Sequence, residues 1–190
     1  MDDAAILLLA GGKARRFPGK LERDLDGEPM IVRSYRRLRA SPWPVYVAAK
    51  ETFPAPIDAA LDAPLLIDRR PGGGPLAALH SACSLIASPL IFAVAADMPH
   101  FDAHILKALA FAHREGDEGV VPQHDGVIEP LAALYDRRAI LREGPKLLRD
   151  GRGAMRDLVE RITARFVPLD KFYFHNVNRE ADLVRGGTPA

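Results

Sequence analysis

Gly11 and Gly12 are followed by Lys13, Arg15, Arg16 and Lys20, and the group comes directly after the apolar run 4–9. A buried strand that ends in glycines lets the backbone bend and approach a ligand closely. Exposed N–H groups with cations close behind suit a polyphosphate. A strand-to-helix turn with a solvated basic face accounts for the glycines, but not for glycines and cations in this order. Two familiar phosphate loops are excluded. A Walker A loop needs Ser or Thr after its Gly-Lys, and here Leu21 follows Gly19-Lys20. Gly11-Gly12-Lys13-Ala14 does not supply the dinucleotide fingerprint G-x-G-x-x-G.

Asp97 follows the continuous apolar segment 90–96. An aspartate just past a buried strand, facing a phosphate loop, suits Mg2+, which takes one or two carboxylates and completes its shell with phosphate oxygens and water. The bland alternative is a helix cap, but Asp102 is better placed for that. Gly72-Gly73-Gly74 permits close approach to a base or a ribose, and Pro75 suits the first position of a helix. A plain surface loop explains these glycines as well. Asp68, just before them, can accept two hydrogen bonds from a base edge such as N1 and N2 of guanine. Asn176 and Asn178 flank Val177 and share one side of an extended segment, where they could hold a second substrate. Helix capping explains Asn178 equally well. His124-Asp125 reads as a hairpin tip, because adjacent strand residues point to opposite faces and make a poor dyad. The six histidines show no metal-ligand spacing, and no Gly-x-Ser-x-Gly elbow is present.

The elements that must position these groups alternate. Strands are predicted at 4–9, 45–48, 65–67, 90–95, 119–122, 131–135, 166–169 and 173–177. Helices are predicted at 30–38, 76–87, 105–112, 155–162 and 179–184. Asp125-Gly126 marks a turn between the 119–122 and 131–135 strands. This alternation predicts a three-layer α/β/α fold with a mostly parallel central sheet, Rossmann-like and covered on both faces. Ligands then collect at the carboxyl ends of the strands, where Gly11-Gly12, Asp68 and Asp97 all fall.

The 190 residues are 48% hydrophobic and 27% charged, with a net charge of +1. These values fit one soluble domain over 1–190 and argue against bulk nucleic-acid or anionic-membrane binding. The single cysteine, Cys83, cannot form an internal disulfide and reads as a small core residue. The first apolar run is too short for a membrane span and follows Asp2-Asp3 rather than basic residues. A cytoplasmic location is the expectation.

Taken in order, LLLAGGKARRFPGK (7–20), Asp68 with GGGPLAAL (72–79), AADMP (95–99), EPLAALY (129–135) and NVNREADL (176–183) resemble the molybdenum cofactor guanylyltransferases of the MobA type. The likeness runs from about residue 4 to 184, within the wider nucleotidyltransferases of glycosyltransferase-A-like, nucleotide-diphospho-sugar-transferase-like fold. It implies transfer of GMP from GTP to molybdopterin, with Mg2+ as cofactor. It also implies molybdoenzymes or their chaperones as further partners. By the resemblance, Leu9, Ala10, Gly11 and Gly12 line the GTP site, and Lys20 holds the phosphates with Arg16 beside it. Asp68 reads guanine, Asp97 binds Mg2+, and Asn176 and Asn178 lie near the pterin. The chain departs from the pattern in two places. The glycine loop is one residue shorter and lacks an Asp before its lysine, and the family's guanine-contacting Asn after the second strand is not evident, since Val47-Ala48-Ala49-Lys50 stands there. A sister cytidylyltransferase, a sugar-phosphate nucleotidyltransferase and a non-catalytic nucleotide binder stay open as alternatives.

Overall fold

Six consecutive apolar residues, Ala4 to Leu9, form an interior strand of the main sheet, as seen in a computed structural model that describes residues 3–11, 19–68 and 73–177. In chain order the elements are β1 (Ala4–Leu9), β2 (Asp24–Leu25), β3 (Glu28–Pro29), α1 (Met30–Arg39), β4 (Val45–Ala49), α2 (Ala55–Leu61), β5 (Leu65–Ile67), α3 (Gly74–Cys83), β6 (Leu90–Ala95), α4 (Ala103–Ala112), β7 (Gly119–His124), β8 (Val127–Ile128), β9 (Ala132–Asp136), α5 (Arg137–Arg149), α6 (Met155–Val159) and β10 (Ala164–Pro168). Single 3₁₀ turns occupy Lys20–Glu22 and Lys171–Phe174.

The main sheet runs β10-β7-β9-β6-β1-β4-β5, with β8 paired to β7. β6, β1, β4 and β5 are mutually parallel, whereas β9 is antiparallel to both β6 and β7. Alternation along β1 divides the core in two. Ala4, Ile6 and Leu8 face α1, α2 and α4, where they meet Ile31, Leu38, Leu61 and Leu106. Ala5 and Leu7 face α3, α5 and α6, where they meet Leu79, Cys83, Ile140 and Leu158. The three-layer expectation is therefore met. Cys83 is a core residue, and burial pushes its thiol up to about 12. No helix among the described residues is long and apolar enough to cross a membrane.

The arginines of α1 meet the protein's own carboxylates. Arg33 pairs with Asp26, Arg36 with Glu28, Arg37 with Asp102 and Arg39 with Asp62, while Ile31, Tyr35 and Leu38 are buried as predicted. The Asp102 carboxylate caps α4 by accepting from the His104 N–H at 2.9 Å.

Several elements differ from expectation. α5 is absent from the predicted set because Gly144-Pro145 reads as a helix breaker. It forms because the Asp136 carboxylate caps it, accepting from Arg138 and Ala139 N–H. Gly144 also lets α5 approach α3, since a Cβ there would stand 3.1 Å from the His80 ring. α2 is also absent from the predicted set, since its prolines, Pro54 and Pro56, fall at its start and read as loop. The predicted strand at 173–177 does not form: residues 173 and 174 end a 3₁₀ turn (Lys171–Phe174) capped by Asp170, which accepts from the Phe172 N–H at 2.9 Å, Phe174 is buried, and residues 175–177 are irregular. The Asp125-Gly126 turn has both residues at positive φ (46° and 76°) and joins β7 to the short β8, from which the chain passes on to β9. α3 ends at Cys83 rather than Ala87. The predicted helix at 179–184 lies outside the described residues.

Gly73 and Gly74 serve packing. Gly74 has φ +67°, and a Cβ on it would stand 2.7 Å from the Gly153 carbonyl oxygen. That carbonyl accepts from the Leu76 N–H at 3.2 Å, tying the start of α3 to the loop before α6. Gly74→Ala combines left-handed strain with this clash. It is expected to cost about 2 kcal/mol or more, read as a lowered urea midpoint with an unchanged slope.

Candidate active site

Because β1, β4, β5 and β6 are parallel, their carboxyl ends open on one edge of the sheet. A cavity of about 350 Å³ lies there, lined by Leu9, Ala10, Gly11, Lys20, Lys50, Phe53, Pro75, Asp97 and Leu131, among others. Four of the predicted nucleotide-site residues at the ends of β1 and β6, Leu9, Ala10, Gly11 and Asp97, thus share one wall with Lys20. Gly12, Lys13, Arg15 and Arg16 lie outside the described residues, as does Asn178.

Asp97 is fixed through its backbone from several sides. The Ala96 N–H donates to the Leu9 carbonyl at 3.1 Å, and the Ser34 hydroxyl donates to the Ala96 carbonyl at 3.0 Å. The Val177 N–H donates to the Asp97 carbonyl at 2.9 Å. Its carboxylate meets Lys20, whose Nζ donates to Oδ2 at 2.5 Å and also to the Val177 carbonyl at 3.2 Å. Lys20 reaches it from a 3₁₀ turn that follows Gly19 at φ 67°. Both side chains are largely enclosed, 13% and 20% exposed. An ammonium has three donors, so two protein acceptors leave one for a ligand oxygen.

One carboxylate beside a cavity fits Mg2+ when a polyphosphate supplies further oxygens. No group of three or more His, Cys, Asp or Glu among the described residues forms a cation cage of its own. The site therefore suits a cation that arrives with phosphate.

Asp68 takes a different position from the one its sequence context suggests. Its side chain is 5% exposed and does not line the cavity. Lys50, at the end of β4, covers it with Nζ donating to Oδ2 at 2.5 Å. Lys50 does line the cavity, and its stem lies against Gly11, where a Cβ would be 3.8 Å from Lys50 Cγ. This wall of the cavity therefore presents the ammonium of a Lys50–Asp68 pair, with the carboxylate beneath it. A single lysine after a strand carries no pattern that marks it as a cavity residue.

A second cavity, of about 610 Å³, shares Pro75, Asp97 and Leu131 with the first and is lined also by Glu129, Arg156 and Asn176. Asn176 thus lines a cavity that meets the first one at Asp97. Glu129 and Arg156 were not predicted as site residues. The only signal for Glu129 is its place in the EPLAALY segment.

Residues 6–166 match the family described as the MobA-like NTP transferase domain. The chain is 32% identical over 189 residues to a probable molybdenum cofactor guanylyltransferase of Opitutus terrae, covering 94% of this chain and 92% of that protein. It is 27% identical over 194 residues to the molybdenum cofactor guanylyltransferase of Desulfosudis oleivorans, covering 96% and 94%. Its fold is similar to the crystal structure of molybdopterin-guanine dinucleotide biosynthesis protein A from Archaeoglobus fulgidus, with a TM-score of 0.79, 23% identity and 95% of each chain covered.

Proposed function

Since the chain belongs to the MobA-like NTP transferase family and is a nucleotidyltransferase, we propose that it transfers GMP from GTP to molybdopterin. The products are the guanine dinucleotide form of the cofactor and pyrophosphate. The observation that carries this reading is the Lys20–Asp97–Val177 junction, which stands between two adjoining cavities. On this reading GTP occupies the cavity beside Lys50, and molybdopterin occupies the one beside Asn176, with Asn178 nearby. Transfer takes place in the cytoplasm, and the product passes to molybdoenzymes or their chaperones.

The acceptor phosphate monoester, with a second pKa of about 6, is largely ionised near neutrality and needs no general base from the protein. Its oxygen forms a bond to the α-phosphorus as the bond to the β-phosphate bridge breaks, and pyrophosphate leaves with that bridging oxygen. Positioning and charge compensation supply most of the acceleration. Lys20 directs its remaining donor at a phosphate oxygen, and Arg16 adds charge from the loop. Asp97 would hold Mg2+, which would supply charge neutralisation at the phosphates.

At the base wall, Lys50, held in place by the Asp68 carboxylate, donates to O6 of guanine. Lys50→Ala removes one charge-assisted hydrogen bond, worth about 1.5–3 kcal/mol. It is expected to weaken GTP binding at least tenfold, measured by titration calorimetry. Titrating GTP, CTP, ATP and UTP with Mg2+ tests the base assignment. GTP is expected to bind at least tenfold more tightly than the others, and tighter CTP binding would move the protein to the cytidine branch.

A further inference from the structure

Beyond Asn176 a third space of about 570 Å³ opens, bordered by His100, His124, Phe174 and His175. Glu129 and Asn176 border both this space and the cavity that holds Asp97. Glu129 is therefore the carboxylate that a molecule reacting at Asp97 meets when it extends away from the nucleotide.

Glu129 is held with unusual firmness for a residue in the link between two strands. Its N–H donates to the Pro122 carbonyl at 2.9 Å, and its carbonyl accepts from the Ala132 N–H at 3.1 Å. His124 Nε2–H donates to Oε1 at 2.9 Å, the one hydrogen bond made by the Glu129 side chain among the described residues. The His124 ring is stacked on buried Phe174 at 5.6 Å and 9°. Its Nδ1 is buried without a hydrogen-bond partner, so stacking and the bond to Glu129 define its orientation. One carboxylate oxygen is thus fixed by the His124 ring N–H, while the side chain keeps 16% exposure at the border of two cavities.

We propose that Glu129 is the residue that recognises the acceptor's ring, by accepting from adjacent N–H donors of a 2-amino-4-oxopyrimidine edge. His124 acts as its positioning residue. This inference rests on the molybdopterin reading above and deepens it. A pterin edge presents ring N3–H and the 2-amine side by side, a donor pair suited to one carboxylate. Replacing the 2-amine by a second carbonyl sets an acceptor against the carboxylate. A site built to bond a donor discriminates strongly against an analogue that lacks it.

The test uses two fluorescent probes, 6-hydroxymethylpterin and 6-hydroxymethyllumazine, which differ in that one group. The intact protein should bind the pterin about tenfold more tightly than the lumazine. Glu129→Gln should abolish the preference while the GTP affinity stays within twofold and the acceptor KM rises at least tenfold with kcat little changed. His124→Ala should reduce the preference and His124→Gln, which restores an N–H donor, should recover it. A Glu129→Gln protein that keeps both the pterin preference and the wild-type acceptor KM overturns the inference alone, provided the intact protein still makes the dinucleotide. An intact protein that prefers neither probe and makes no dinucleotide from GTP and molybdopterin overturns the inference together with the functional reading.

Discussion

Replacing Asp97 by asparagine is expected to lower the transfer rate about a thousandfold while the fold survives. The side chain keeps its size, and the Asp97 carbonyl still accepts from the Val177 N–H, a bond that uses backbone alone. What disappears is the negative charge that pairs with the Lys20 ammonium and that the proposed Mg2+ would require. An asparagine amide turned toward Lys20 also sets a donor against a donor. Because asparagine matches aspartate in size and the backbone bonds that fix residues 96 and 97 are kept, thermal unfolding should move little. Circular dichroism and a melting curve separate this outcome from misfolding. Turnover within tenfold of the intact protein would remove Asp97 from the reaction.

Lys20→Met should reduce kcat by about a hundredfold or more, in line with the loss of one charged donor aimed at the reacting phosphates. Methionine retains most of the stem and loses the ammonium. The expected signature is an equal fall in kcat and kcat/KM, because charge on the departing pyrophosphate develops only in the transition state. A rise in KM with kcat unchanged would make Lys20 a ground-state anchor. Lys20→Arg should not restore full activity, since a planar guanidinium cannot reproduce a point donor lodged between Asp97 Oδ2 and the Val177 carbonyl. The double variant should lose less than the product of the single effects, because Asp97 and Lys20 touch each other.

Much of the scaffold was legible because its signals are local. The apolar runs of β1 and β6, the 3–4 spacing of Ile31, Tyr35 and Leu38, and the Asp102 cap all follow from residues within a turn or two. The parallel arrangement then brought Gly11 and Asp97 to one sheet edge, because β1 and β6 run side by side from Ala4↔Leu90 to Leu9↔Ala95. Elements were lost where local chemistry misleads. Gly144-Pro145 conceals α5, and the aromatic residues Phe172, Tyr173 and Phe174 favour a strand by propensity while Asp170 turns them into a 3₁₀ turn.

The site divides in the same way. Lys20 and Asp97 stood out by type and by position after their elements, but their contact spans 77 positions and depends on the return of Val177. Asp68 was legible as a strand-end carboxylate. Its burial beneath Lys50 was not, because that depends on how far β4 and β5 extend beside each other, with Ala49 paired to Ile67. Glu129 was visible only as part of a segment resembling a family motif. Its border position arises from the antiparallel β9, which carries the chain back past Asp97.

The most direct test of the central assignment is transfer of label from α-³²P-GTP to molybdopterin in the presence of Mg2+, with pyrophosphate measured in the same reaction. The account predicts one labelled guanine dinucleotide formed per pyrophosphate released, dependent on both substrates and not supported by CTP. Transfer from CTP instead of GTP, or GTP binding with no transfer to molybdopterin, would contradict it.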